Sequence, residues 1–187
     1  MLRPLALLAS ALLSLAGCRG AAGPPIPTVP HVDLPRFMGD WYVIASIPTF
    51  LEKDAHNAVE SYAMNPDGSI ATTFSFRAGA FDGPEKRHTP TGFVRDDGSN
   101  AIWGMQFVWP IEAEYLIAHV SPDYSETVIA RNARDYVWIM ARTPEITDAD
   151  HARLVELVRS YGYDESRLVR VPQRWAEEST RKGSPSR

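Results

Sequence analysis

The 187-residue chain has a single cysteine, Cys18, so it cannot close an internal disulfide or assemble a thiolate zinc cluster. Its 12 Gly and 15 Pro are too few for a fibrous or low-complexity chain, and 10% aromatic residues are too many for a disordered one. Basic runs are missing as well. Lys and Arg never gather beyond a pair such as Arg181-Lys182, and 19 of them against 23 Asp and Glu leave a net charge of -4. A phosphate-tracking surface is excluded, and nucleic acid with it. There is no Gly-x-Ser-x-Gly, no His-Glu-x-x-His and no phosphate loop. The five histidines, at 31, 56, 88, 119 and 151, show no short ligand spacing, so no metal, haem or other cofactor is expected.

The one long apolar run is N-terminal. Met1-Leu2-Arg3 is a short basic start, Leu5 to Leu15 is a stretch of Leu, Ala and Ser, and Leu15-Ala16-Gly17-Cys18 closes it with small residues. This is a signal peptide, residues 1–17, too short to remain as a membrane span. The tetrad resembles the bacterial lipobox, in which the cysteine receives a diacylglycerol and becomes the first mature residue, so Cys18 is expected to be a lipid anchor. Arg19 after it, rather than Asp, resembles the pattern sent on to the outer membrane. If the cell is Gram-negative, the domain is therefore expected on the periplasmic side. Residues 18–32, rich in Pro and Gly, read as an extended tether.

The body, residues 33–173, shows eight β-rich runs bounded by turn chemistry: 41–47, 57–64, 69–77, 88–95, 101–109, 114–121, 126–131 and 136–142. Asn65-Pro66-Asp67-Gly68 and Asp96-Asp97-Gly98-Ser99 are typical of antiparallel connections, and 48–56 and 78–87 are longer loops. No helical segment separates the strands, which excludes a parallel βαβ sheet. Eight sequential strands close most simply as an up-and-down barrel, an all-β fold without exposed edges. One helix follows: Thr147 is its N-cap, Leu154, Val155, Val158 and Tyr161 share a face, and Gly162 stands at the C-cap. Its apolar stripe is expected against the outer barrel wall, with 167–171 as an added strand. Residues 174–187 are a polar tail expected to be disordered.

Three segments resemble one family. Gly39-Asp40-Trp41 resembles the Gly-x-Trp motif that opens the first strand of lipocalins, Pro122-Asp123-Tyr124 resembles their Thr-Asp-Tyr motif between strands six and seven, and Met140-Ala141-Arg142-Thr143-Pro144 resembles the arginine motif ending strand eight. Pro122 departs from the family's usual Thr or Arg. The resemblance covers about residues 33 to 173 and is closest to bacterial outer-membrane lipoprotein lipocalins, relatives of apolipoprotein D. In an up-and-down barrel these three places meet at one end. Gly39, Trp41, Asp123, Tyr124 and Arg142 are accordingly assigned to barrel closure, with the Arg142 guanidinium on the Trp41 indole.

Strand parity then predicts the lining. From Trp41 it gives Val43 and Ala45, and from Arg142 it gives Met140 and Trp138. The resemblance implies Thr72, Phe74 and Phe76 in the third strand, Trp103, Met105, Phe107 and Trp109 in the fifth, and Tyr115, Ile117 and His119 in the sixth, with Gln106 and Val108 outward. The resemblance also implies Tyr62 inward, and parity then carries Glu60 with it. A carboxylate there needs a hydrogen-bonding partner or a proton, and Tyr62, Tyr115 and His119 are the candidates. The loop 48–56 is expected to shape the mouth.

This lining predicts a non-enzymatic carrier, store or scavenger of one apolar ligand, a fatty acid or lysophospholipid, held to the membrane by its lipid. Two alternatives stay open: a lipocalin-fold enzyme using Glu60 and His119 as acid and base, and a tethered adaptor with a filled barrel. A homodimer is also left open.

Overall fold

A computed structural model describes residues 23–175. The signal peptide, the expected lipid anchor Cys18 and the tail beyond 175 lie outside the described residues.

The barrel strands are β1 (Gly39–Ile47), β2 (Ala55–Met64), β3 (Ile70–Ala78), β4 (Glu85–His88), β5 (Thr91–Val94), β6 (Ile102–Val108), β7 (Ile111–Val120), β8 (Glu126–Ala130) and β9 (Val137–Ala141). Consecutive strands pair antiparallel, except that β4 and β5 both pair with β3 and only β5 continues to β6, and β1 pairs with β9, closing an eight-membered ring. The fourth member is split. β4 and β5 continue one register along β3, with Phe74 opposite His88 and Ala71 opposite Thr91. Pro90, which has no N–H to give the ladder, lies between them. Part of the stretch 78–87, expected as loop, is therefore strand.

The helix α2 (Asp148–Ser160) starts where the Thr147 side chain accepts from Asp150 N–H, and Gly162 takes φ +87° after its end. Leu154 and Val158 are fully buried among Ile44, Val128, Val137 and Ile139 on the outer wall. Burial of such side chains stabilises by about 1.5–3 kcal/mol each, which is what a helix with so short an apolar stripe needs to stay docked. The short β10 (Val169–Arg170) pairs with β1, as the run 167–171 predicted.

Parity counting fails at three bulges, where one extra residue turns the following side chains over. In β1 the register shifts between Val43 and Ala45, so Val43 stays inside while Ala45 packs outward beneath α2, and Ser46, opposite Trp138, takes the inner face. In β7 it shifts between Ile117 and His119: Ile117 faces the interior, Ala118 and His119 face out, and Val120 returns inward. In β6 it shifts between Gln106 and Val108; Phe107 reaches the rim half exposed, Val108 joins the mouth, and Trp109 lies in the turn beyond, 81% exposed. Ala45, His119 and Trp109 are thus not lining residues, and Val108 is not an outward one.

Two further differences concern the N-terminal side. A single-turn helix α1 (Leu34–Phe37), capped by Asp33, is too short to leave a periodic signal, and it inserts Phe37 into one barrel end. The segment read as tether is docked from residue 23 onward: Ile26 and Val32 are buried, and Val29 N–H bonds Ile117 O at 3.1 Å. Proline there presets an extended path that the barrel wall completes.

Candidate functional site: a half-filled barrel with a buried carboxyl pair

One end of the barrel is shut. Trp41 is fully buried, its Nε1 donates to Phe37 O at 2.8 Å, and the Arg142 guanidinium lies 3.8 Å from the indole centroid. Arg142 also donates to the carbonyls of Asp40 (2.8 Å), Arg36 (2.8 Å) and Met38 (2.9 Å), fastening α1 to the start of β1. The turn after β7 completes the closure. Asp33 N–H donates to the Tyr124 hydroxyl at 2.8 Å, while Asp123 accepts from Ser121 and Ser125, which together hold its carboxyl down at about 2. Tyr124 adopts φ +62° in that turn. Gly39, at φ +93°, brings β1 in where only glycine is unstrained. The residues assigned to closure are all here.

Above this plug the aromatic rings form a floor. Phe37, Tyr62 and Trp103 sit with centroids 5.6 Å apart, and Trp103 stacks on Tyr115 at 5.4 Å. Phe76, Ile117, Met140 and Val43 complete the packed half, with Thr72 buried in β3. The other half is a cavity of about 500 Å³, within the usual range for small-molecule sites. Of the predicted lining, Glu60, Phe74, Met105, Phe107, Tyr115 and Trp138 bound it.

Glu60 is its chemical centre. The residue is 8% exposed, and burial, then the Glu52 charge, raise its carboxyl to about 8 against a hydrogen bond from Tyr62 that works the other way. At neutral pH it is mainly the acid. The Tyr62 and Tyr115 hydroxyls are hydrogen-bonded to each other, and burial with the neighbouring Glu60 keeps both protonated well above the usual tyrosine range. Tyr62 is also hydrogen-bonded to Glu60, which joins the two hydroxyls and the carboxyl in one chain.

Glu52 was not singled out by sequence reasoning, because a lone acid in a loop carries no periodic signal. It is 5% exposed, accepts from Thr49 N–H at 2.8 Å and from Trp138 Nε1 at 3.0 Å, and draws the loop 49–52 over the cavity. His119, the other candidate partner of Glu60, lies outside the wall by Arg153 and Glu126, with burial and then Arg153 pushing its pKa down. Among the described residues no group of three or more His, Cys, Asp or Glu could hold a metal.

A family profile described as a Lipocalin-like domain matches residues 32–173. The chain is similar to Temperature-induced lipocalin-1 of Arabidopsis thaliana, 29% identical over 157 residues, with 78% of this chain and 81% of the relative covered. It is also similar to Outer membrane lipoprotein Blc of Escherichia coli K12, 24% identical over 176 residues covering 92% and 97% of the two chains. Among solved structures, insecticyanin from the tobacco hornworm Manduca sexta superposes with a TM-score of 0.63 at 14% identity, over 82% of this chain and 86% of that one. Motif residues gathered at one barrel end, a ring closed between β1 and β9, and a profile match running the length of the barrel agree: the chain belongs to the lipocalin family.

Proposed function

We propose that the protein is a lipid-anchored binding protein that carries, stores or scavenges one small apolar ligand, a fatty acid or lysophospholipid, in the barrel. The observation that carries this reading is the cavity of about 500 Å³ bounded by Phe74, Met105, Tyr115 and Trp138. An adaptor with a filled barrel has no use for that space. Each CH₂ moved from water into it contributes about 0.8 kcal/mol before ordering costs.

Glu60 gives the site its polar selectivity. As an acid it offers an O–H to a carbonyl or ester, whereas an ionised ligand head meets the neighbouring Glu52. An enzymatic role for Glu60 with His119 loses its geometry, since the barrel wall stands between them. We therefore favour binding without catalysis. The lipobox-like tetrad ending at Cys18, and similarity to outer-membrane lipoproteins of Escherichia coli, support anchoring on the periplasmic face of an outer membrane. Mass spectrometry of the organic extract from purified protein tests the reading. A stoichiometric single-chain lipid is expected, and an empty extract with no saturable uptake of added lipid overturns it.

A further inference from the structure

Large exposed apolar side chains gather at the open end of the barrel. Phe50, 83% exposed, and Leu51 stand in the loop between β1 and β2; Phe107, Val108, Trp109 and Ile111 stand in the hairpin between β6 and β7. In the ring order these two connections lie on opposite sides of the mouth. Of the other large exposed apolar residues among those described, Met64 lies at the closed end, Trp175 packs edge-on against Tyr42, and Val169 stands on the outer wall opposite Ser46. A concentrated apolar rim around an opening marks contact with an apolar partner.

The path of the N-terminal segment says which partner. The loop 131–136 between β8 and β9 also lies at the open end, and there Arg134 donates to Pro24 O at 2.6 Å and Asn132 Oδ1 accepts from Ile26 N–H at 2.8 Å. The chain then descends the wall, and Val32 N–H reaches Ser99 O at the closed end. It therefore joins the barrel at the mouth. Cys18 precedes Pro24 by six residues, a span of at most about 20 Å when extended.

We propose that the mouth of the barrel faces the lipid surface to which Cys18 is anchored, with Phe50 and Leu51 on one side and Phe107, Val108, Trp109 and Ile111 on the other seated among the headgroups. The tether half of this rests on the lipid-anchored reading above; the insertion half rests on the exposed rim. Tryptophan suits such a level, with an apolar ring and one N–H for the wet side. Ligand then passes between bilayer and cavity without crossing open water. A closed end facing the bilayer would instead require the tether to run the length of the barrel, but residues 24–32 already occupy that length along the wall.

The test uses the full acylated protein in vesicles of phosphatidylethanolamine and phosphatidylglycerol. With Cys18 acylated, Phe50→Cys, Trp109→Cys or Met64→Cys each adds one free thiol at an exposed site for an environment-sensitive dye. Dyes at 50 and 109 should shift to the blue and be quenched by brominated lipid, and the dye at 64 should not. Quenching at 64 equal to that at 109, or at none of the three, overturns the proposal while leaving ligand binding untouched. A concentration-dependent blue shift at 109 without vesicles assigns the rim to a second copy and also overturns it. Mass spectrometry of the same sample separates the two readings: no acyl groups on Cys18 overturns the anchor and the proposal together, and an acylated chain with an unquenched rim overturns the proposal alone.

Discussion

The Trp138 indole donates to the Glu52 carboxylate at 3.0 Å, tying the loop over the cavity to the wall strand β9. Glu52 also raises Glu60, so one side chain bears on both the loop and the protonation of the buried carboxyl. Glu52→Gln removes the like charge and should lower the Glu60 midpoint. Burial, the larger cause, remains, so the midpoint should stay above the ordinary carboxyl range. A carboxyl-resolved NMR titration of both proteins checks this, and an unmoved midpoint would show that the two groups do not interact.

Trp138→Phe keeps the ring and deletes the N–H. One oxygen of a buried carboxylate then loses its donor, which costs about 1–3 kcal/mol and should loosen the latch. Amide exchange at 49–52 should quicken while exchange in β6 and β7 stays unchanged; uniform protection would mean that the loop holds itself.

The Glu60 carboxyl predicts a pH-dependent stability. Its folded value, about 8, lies above the ordinary 4.5, so its contribution is fully present below pH 4.5 and is lost as pH rises through 8. Glu60→Gln carries no such proton. Relative to wild type it should gain stability between those limits, by a few kcal/mol at about 1.4 kcal/mol per pKa unit. Urea unfolding at several pH values measures the difference; a gap between the two proteins that stays constant would place Glu60 in contact with water.

Closure is held by different chemistry at its two centres. Trp41→Ala empties a fully buried site and should cost about 3–5 kcal/mol. Arg142→Ala should cost less, because its guanidinium is partly wetted. Arg142→Lys should not restore it, since an ammonium cannot fork to the carbonyls of Asp40, Arg36 and Met38 at once. Thermal melts of the three variants rank them, and an unchanged Trp41→Ala midpoint contradicts the plug.

The ring, its closing motifs and α2 were legible because each rests on a pattern that the chain must repeat or a turn it must make. Alternation from Arg142 placed Trp138 on the inner face, and the family resemblance, extended by alternation, did the same for Tyr62, Glu60, Met105 and Tyr115. The same counting misplaced Ala45, His119 and Trp109 because a bulge adds a residue without a compositional mark: Val43-Ile44-Ala45 and Ile117-Ala118-His119 read as unbroken strand. Phe37 and Glu52 escaped for the opposite reason. Each acts through a single turn or loop contact, α1 in one case and the Trp138 hydrogen bond in the other, and no period announces such a contact. The docking of 24–32 was hidden because proline-rich chain reads as tether whether or not a wall lies beside it.

Ligand uptake should be reported by Trp138, whose ring bounds the cavity, and not by Trp103, which is packed in the floor. Long-chain fatty acid or lysophospholipid should change tryptophan emission saturably, and Trp138→Phe should remove most of that change while leaving affinity within a few fold. Affinity should rise with chain length by up to about 0.8 kcal/mol per CH₂ until the space above Tyr62 and Trp103 is full. Met105→Arg puts a charge into the wall and should abolish binding, whereas Gln106→Arg on the outer face should spare it; Val108 cannot serve as that control, because it lines the mouth. A neutral methyl ester should bind more tightly than the matching fatty acid at pH values where the acid is ionised, and Glu60→Gln should narrow the difference, since only the wild-type site gains a further negative charge as pH climbs past about 8. Calorimetric titration of the ester and acid pair against both proteins decides it. Equal affinities throughout would leave the cavity as an apolar sleeve in which Glu60 has no part.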